Sequence, residues 1–170
     1  RDEYFRFYHK YEALDIGGRK HRTACLFAWY DFLRATIMVD ADLGFSPAEM
    51  TTKALADGVK KMEVDIFGQM PLKLRVADNN NEILLRDLGS DHKLHFVATS
   101  KDPLEAMVNQ ARLFVGAGRV WVSPRAKELI GCLRYGIWNE KRTEFKEFPE
   151  ESNAFQLYGH FDALAALIYL

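Results

Sequence analysis

Cysteine is scarce in this 170-residue chain: only Cys25 and Cys132 occur, each inside an apolar pattern. Two isolated thiols offer neither a zinc-ligand spacing nor a disulfide framework, and they read as reduced core residues in a cytosol-like compartment. An excess of one charge is also missing. Lys and Arg number 23 against 24 Asp and Glu, a formal net charge of −1, so no global field advertises a nucleic-acid partner. That balance weighs against a sequence-reading DNA binder. It does not weigh against a nuclease, whose cleft needs only a local basic rim around an acidic centre. No apolar run spans a membrane, the stretch 163–170 being far too short, and no signal-peptide pattern, repeat or low-complexity segment occurs.

With 48% of its residues apolar, the chain can bury one core but not two comfortable ones. Residues 1–10 are aromatic and charged without a clean period and read as a linker remnant, leaving 11–170 as a single domain. A start at Arg1 rather than Met, and a helical pattern still running at Leu170, suggest a piece of something larger.

Strand patterns cover 11–16, 21–33 and 35–39, and together read as a meander. Ser46-Pro47-Ala48-Glu49 has the form of a capping box opening a helix that buries Met50, Ala54, Leu55, Val59 and Met62. A strand over 72–77 and a short helix over 82–88, ended by Gly89, come next. A strand over 94–99 is followed by a second capping signature, Asp102-Pro103-Leu104-Glu105, and a helix through Val115. A brief strand at 120–122 leads to Ser123-Pro124, which reads as the start of a helix carrying Leu129, Ile130, Leu133 and Ile137; the last helix opens at Asp162. Three hairpin-linked strands followed by α/β alternation predict a mixed α/β sheet of order 3-2-1-4-5 flanked by helices. Ligands in such sheets sit beyond the carboxyl ends of the strands, where chain direction switches.

Three aspartates fall at such positions. Asp15 ends the first strand before Gly17-Gly18, Asp78 ends the fourth before Asn79-Asn80-Asn81, and Asp162 opens the last helix. Singly, each has an ordinary reading: a turn residue, an Asx-turn or cap, and a helix cap beside the dipole. The same ordinary reading serves for Asp40 and Asp42, placed in the turn after the third strand. Jointly, the three are different. Like charges ~4 Å apart at an effective dielectric of ~20 repel by roughly 4 kcal/mol, so a converging trio calls for a divalent cation. Carboxylate oxygens suit Mg²⁺ or Mn²⁺, and two ions could activate a water and stabilise the leaving oxygen of a phosphodiester. No serine or cysteine nucleophile stands out.

The motifs Ala13-Leu14-Asp15-Ile16-Gly17, Val76-Ala77-Asp78 and His160-Phe161-Asp162-Ala163-Leu164 resemble the three acidic motifs of the nuclease domain of phage large terminase subunits. Ser100-Lys101-Asp102, Arg119-Val120-Trp121-Val122-Ser123-Pro124, Glu128-Leu129-Ile130 and Glu144-Phe145 are similar to that family's usual run between them, and the resemblance covers 11–170. It implies a ribonuclease-H-like fold, cutting of concatemeric double-stranded viral DNA during head filling, and Mg²⁺ or Mn²⁺, two ions being expected. By the resemblance Asp15, Asp78 and Asp162 would be the catalytic metal ligands. The packaging ATPase domain, the small terminase subunit and the portal would be partners, and the host cytoplasm the place of work. The family's Gly-x-x-x-x-Gly-Lys-Ser/Thr motor loop does not occur in this chain.

Lys101 could reach a phosphate or be a solvated turn lysine. Arg19 and Lys20, in the run Arg19-Lys20-His21-Arg22, could grip the DNA backbone or form a plain hairpin tip. His160 could join the metal shell from behind Asp162 or merely precede a helix. Trp29, Trp121 and Trp138 read as packing residues. Rival functions are a sugar-kinase or actin-like nucleotide site, suggested by Asp15-Ile16-Gly17-Gly18 but with Arg19 where Thr or Ser is usual; a junction resolvase or transposase; and a non-catalytic DNA- or portal-docking module.

Overall fold

The computed structural model describes residues 8–18, 21–99, 104–136 and 161–170. Six strands form one sheet: β1 (Tyr8–Asp15), β2 (Thr23–Asp31), β3 (Thr36–Phe45), β4 (Leu74–Ala77), β5 (Val97–Ala98) and β6 (Val120–Val122), in the order β5-β4-β1-β2-β3-β6. The expected 3-2-1-4-5 core is present, and β6 extends it by pairing in parallel with the outer side of β3. β2 is antiparallel to both β1 and β3, whereas β1–β4, β4–β5 and β3–β6 are parallel pairs. Five strands therefore end on one edge, and only β2 begins there.

Helices cover both faces. On one side lie α1 (Thr52–Phe67) and α2 (Glu82–His92). The sheet also carries α3 (Leu104–Gly116), α4 (Lys127–Tyr135) and α5 (Asp162–Tyr169). Leu14, Cys25, Phe27 and Trp29 pack on Leu55, Val59 and Phe67 of α1 and Leu88 of α2. Ala13, Ala24, Leu26 and Val39 meet Leu129 and Cys132 of α4 and Ala163, Ala166 and Leu167 of α5. Every residue of β2 except Tyr30 is buried, as a strand covered on both faces requires. Alanines at 13, 24 and 28 on the strands and 163 and 166 on the helix let α5 lie close against the sheet. The two cysteines fall in the two different clusters, both buried, as the sequence suggests.

Charge is built into the first core. Glu12 is fully buried on β1. Arg75 on β4 donates from Nε to its Oε2 at 3.0 Å and also pairs with Glu63 of α1. Burial first, and then the neighbouring Glu63, push the Glu12 carboxyl up to about 9 despite Arg75. Lys10 is buried too, and its Nζ donates to the carbonyl of Phe67 at the end of α1 at 3.2 Å. β1 thus begins three residues before the expected boundary, and Tyr8, His9 and Lys10 belong to the sheet rather than to a linker.

Several local expectations are corrected. Glu49 does accept from both the N–H and the hydroxyl of Ser46, but the two close a turn; α1 begins after Thr51, whose hydroxyl accepts from Ala54 N–H. Gly89 does not end α2, which runs on to His92 with Lys93 in the left-handed cap position. A Cβ at Gly89 would stand 3.1 Å from the His95 ring, so close packing accounts for that glycine. Ser123-Pro124 forms a turn, and α4 starts later, at Lys127. The 94–99 strand shrinks to Val97–Ala98, and β3 runs on through Asp40 and Asp42 instead of turning before them. Trp29 packs as expected, Trp121 is 57% exposed, and Trp138 and Ile137 lie outside the described residues.

Candidate active site at the carboxyl edge of the sheet

Asp15 is the last residue of β1 and alternates onto the α5 face, opposite Leu14. The parallel ladder pairs Leu14 with Ala77 and continues one step further, because Asp78 N–H donates to Leu14 carbonyl at 3.1 Å. Asp78 therefore stands beside Asp15, 3% exposed. Its side chain does not cap the short 3₁₀ turn Asn79–Asn81 that follows; Asn81 caps α2 by accepting from Leu84 N–H. Asp162 is the first residue of α5, 5% exposed, where the helix dipole favours its charge. Phe161, fully buried with a left-handed φ of 66°, makes the entry to that helix, and its carbonyl accepts from Leu164 and Ala165. A bulky residue in that conformation is held by its surroundings, and it sets where Asp162 emerges.

One hydroxyl reports how near these acids are. Tyr169, at the far end of α5, donates to Asp15 Oδ1 at 3.4 Å. Burial raises its phenol well above the ordinary range, and the charges of Asp15, Asp78 and, more weakly, Asp162 add to the rise. All three carboxylates thus lie within electrostatic reach of one hydroxyl, which contacts Asp15. They do not yet form a cage: among the described residues no three His, Cys, Asp or Glu side chains are arranged to hold a metal ion.

Beside the acids sits an ion pair. Arg22, just before β2, donates to Glu128 of α4 through Nε at 3.0 Å and Nη2 at 3.4 Å. Burial alone would lower the Arg22 pKa, but the Glu128 hydrogen bond and charge, with Asp162 and Glu49 behind them, outweigh it and raise it. The pair fits because Gly44 has no side chain; a Cβ there would fall 2.0 Å from Glu128 Oε2. Gly17 is bare for the same kind of reason, since its Cβ would meet Arg22 carbonyl at 2.1 Å. Asp42 reaches across from β3 to accept Leu129 N–H at 2.8 Å, capping α4 from a distance of 87 residues. Burial pushes its carboxyl up to about 6 against that hydrogen bond.

Of the residues singled out from sequence, the fold brings Asp15, Asp78 and Asp162 to one edge. Arg19, Lys20, Lys101 and His160 lie outside the described residues. Arg22, read as part of a DNA-gripping run, is committed to Glu128. Tyr169 and the Arg22–Glu128 pair had no place in the sequence reading, and Asp42, read there as a turn or cap residue, caps a helix far along the chain. Only Tyr169 left a usable signal, since it stands seven residues after Asp162, two turns along one helix face.

The fold is that of the nuclease domains of phage large terminases, a ribonuclease-H-like mixed sheet. The large terminase nuclease domain of bacteriophage SPP1 with bound Mn superposes with a TM-score of 0.67 at 18% identity, over 99% of this chain and 88% of that one. The P22 large terminase nuclease domain gives 0.66 at 14% identity, over 96% and 79%. A large terminase from a thermophilic bacteriophage gives 0.70 at 15% identity over 95% of this chain, which spans only 38% of that protein's length. Likeness at these identities establishes the fold. No protein-family model matches the chain, and no curated protein matches it in sequence.

Proposed function

We propose that this chain is a divalent-cation-dependent endonuclease that cuts concatemeric double-stranded viral DNA during genome packaging. The reading rests on one observation above all: Asp15 ends β1, Asp78 follows β4 beside it and Asp162 opens α5, in a fold like that of terminase nuclease domains. The donor set fits Mg²⁺ or Mn²⁺, being carboxylate oxygen throughout. Related support comes from two neighbours, the SPP1 domain solved with Mn and the phage G20c large terminase nuclease solved with magnesium. The only two thiols are buried in the core, with Cys132 pushed up to about 12 by burial and then by Glu128 and Asp162, so neither serves as a nucleophile.

In this reading Asp15, Asp78 and Asp162 hold the ions, two being the expected number. Bound there, the cations would activate a water and stabilise the departing oxygen of an in-line phosphodiester displacement. One carboxylate oxygen of Asp78, Oδ1, and one of Asp162, Oδ2, are buried from solvent. The Arg22–Glu128 pair ties the start of β2 to α4. Arg19, Lys20 and Lys101 are proposed to take DNA phosphates, and His160 to support Asp162. A packaging ATPase domain, a small terminase subunit and a portal are the proposed partners, in the host cytoplasm.

The test is nicking of supercoiled plasmid by the purified chain. Mg²⁺ or Mn²⁺ is expected to support nicking without sequence preference, EDTA to stop it, and Asp15→Asn, Asp78→Asn or Asp162→Asn to lower it by at least about a thousandfold. Nicking that survives all three substitutions would remove the reading.

A further inference from the structure

We propose that Tyr169 is a positioning residue for Asp15: its hydroxyl, carried by the same helix as Asp162, holds the Asp15 carboxylate facing its two partners. The inference rests on the cation-binding reading of the three acids and goes beyond it by adding a residue that touches no cation itself.

The geometry is that of a ruler. Asp162 and Tyr169 are the first and last residues of α5, two turns apart, so one rigid element sets both the third carboxylate and the phenol. Long side chains on a helix lean toward its N-terminus, which directs the phenol back toward the Asp162 end and the sheet edge. There the hydroxyl meets Asp15 Oδ1 at 3.4 Å. That is longer than the usual ~2.7–2.8 Å for such a bond, leaving slack for the carboxylate to be drawn in. The ring packs against the second apolar core and, with Tyr11, Ala28, Ile37, Phe114 and Leu167, lines a cavity of about 460 Å³.

Asp15 is also the member of the trio that most needs holding. Asp78 and Asp162 are 3% and 5% exposed and confined by burial, whereas Asp15 is only half-buried at the end of its strand. The phenol hydroxyl presents a donor to that carboxylate. Removing the donor takes away the hydrogen bond that ties Asp15 to the helix carrying Asp162.

The experiment compares the full chain with Tyr169→Phe, Tyr169→Leu and Asp15→Asn. Mn²⁺ is titrated calorimetrically without DNA, thermal unfolding is followed in EDTA, and nicking is resolved into kcat and KM. Tyr169→Phe keeps the ring and is expected to unfold as the natural chain does. It is expected to bind Mn²⁺ about tenfold more weakly and to lose kcat by a similar factor with KM for DNA unchanged. Tyr169→Leu is expected to lose stability as well. The inference is overturned if Tyr169→Phe matches the natural chain in Mn²⁺ affinity and kcat, or if its losses merely track a fall in melting temperature. The Asp15→Asn control separates the two failures. If it abolishes Mn²⁺ binding while Tyr169→Phe changes nothing, the tyrosine's role alone is wrong; if it leaves binding intact, the cation reading fails and takes this inference with it.

Discussion

Asp78 carries the sharpest conflict at the scale of single residues. It is nearly fully buried, its backbone is locked to Leu14, and its neighbours at the edge are two more carboxylates. Like charges at short range repel by as much as a few kcal/mol, and a divalent cation would offset that repulsion. Asp78→Asn keeps the shape and deletes one of the charges. It is expected to raise the melting temperature in EDTA by about 2–4 °C, the shift for about 1 kcal/mol in a domain of this size, and to abolish any stabilisation by Mn²⁺. Thermal unfolding with and without Mn²⁺ measures both. A lower melting temperature in EDTA would mean that the charge is satisfied within the protein and not held for a ligand.

Among the elements, β1 is the one on which everything converges: it ends in Asp15 on one face and buries Glu12 between β4 and α1 on the other. Glu12 and Glu63 share Arg75, and a protonated Glu12 can share its hydrogen with Glu63. The Glu12 pKa is raised from 4.5 to about 9. Its contribution to stability is therefore complete below about 4.5 and is lost as pH rises through about 9. Glu12→Gln mimics the neutral form and is expected to flatten the fall in melting temperature across that window while matching the natural chain at its acid end. Parallel curves for the two proteins would contradict the assignment.

How much of this could be read from residues alone also divides by element. The order of strands was legible because hydrophobic alternation and turn residues are local, and Asp15 and Asp78 were legible because each closes a strand that periodicity finds. The starts of α2 and α5 were legible too, but those of α1 and α4 were not. Ser46 to Glu49 and Ser123-Pro124 have the composition of caps, yet the chain spends them on turns leaving β3 and β6, and α4 takes its cap from Asp42 across the sheet. Arg22 and Glu128 are 106 residues apart, and no local pattern announces their union. Gly17 looks like a turn glycine in sequence, and only the fold reveals what it and Gly44 leave room for.

At the scale of the whole molecule, one six-stranded sheet separates two apolar cores and exposes a single carboxyl edge. Parallel pairing of β1 with β4 and the close seating of α5 on alanines deliver three acids from residues 15, 78 and 162 to that edge. Asp15 contacts the Tyr169 hydroxyl, with Asp78 and Asp162 within electrostatic reach of it, and no closed cage forms among the described residues. The claim at the centre is that a divalent cation completes the cage. Anomalous diffraction from crystals of the chain soaked in Mn²⁺ tests it most directly. The expected result is scattering at the ends of β1 and β4, at coordination distance (~2.0–2.2 Å) from carboxylate oxygens of Asp15, Asp78 and Asp162. An edge without manganese at saturating concentration, with the three side chains turned toward separate surfaces, would contradict it.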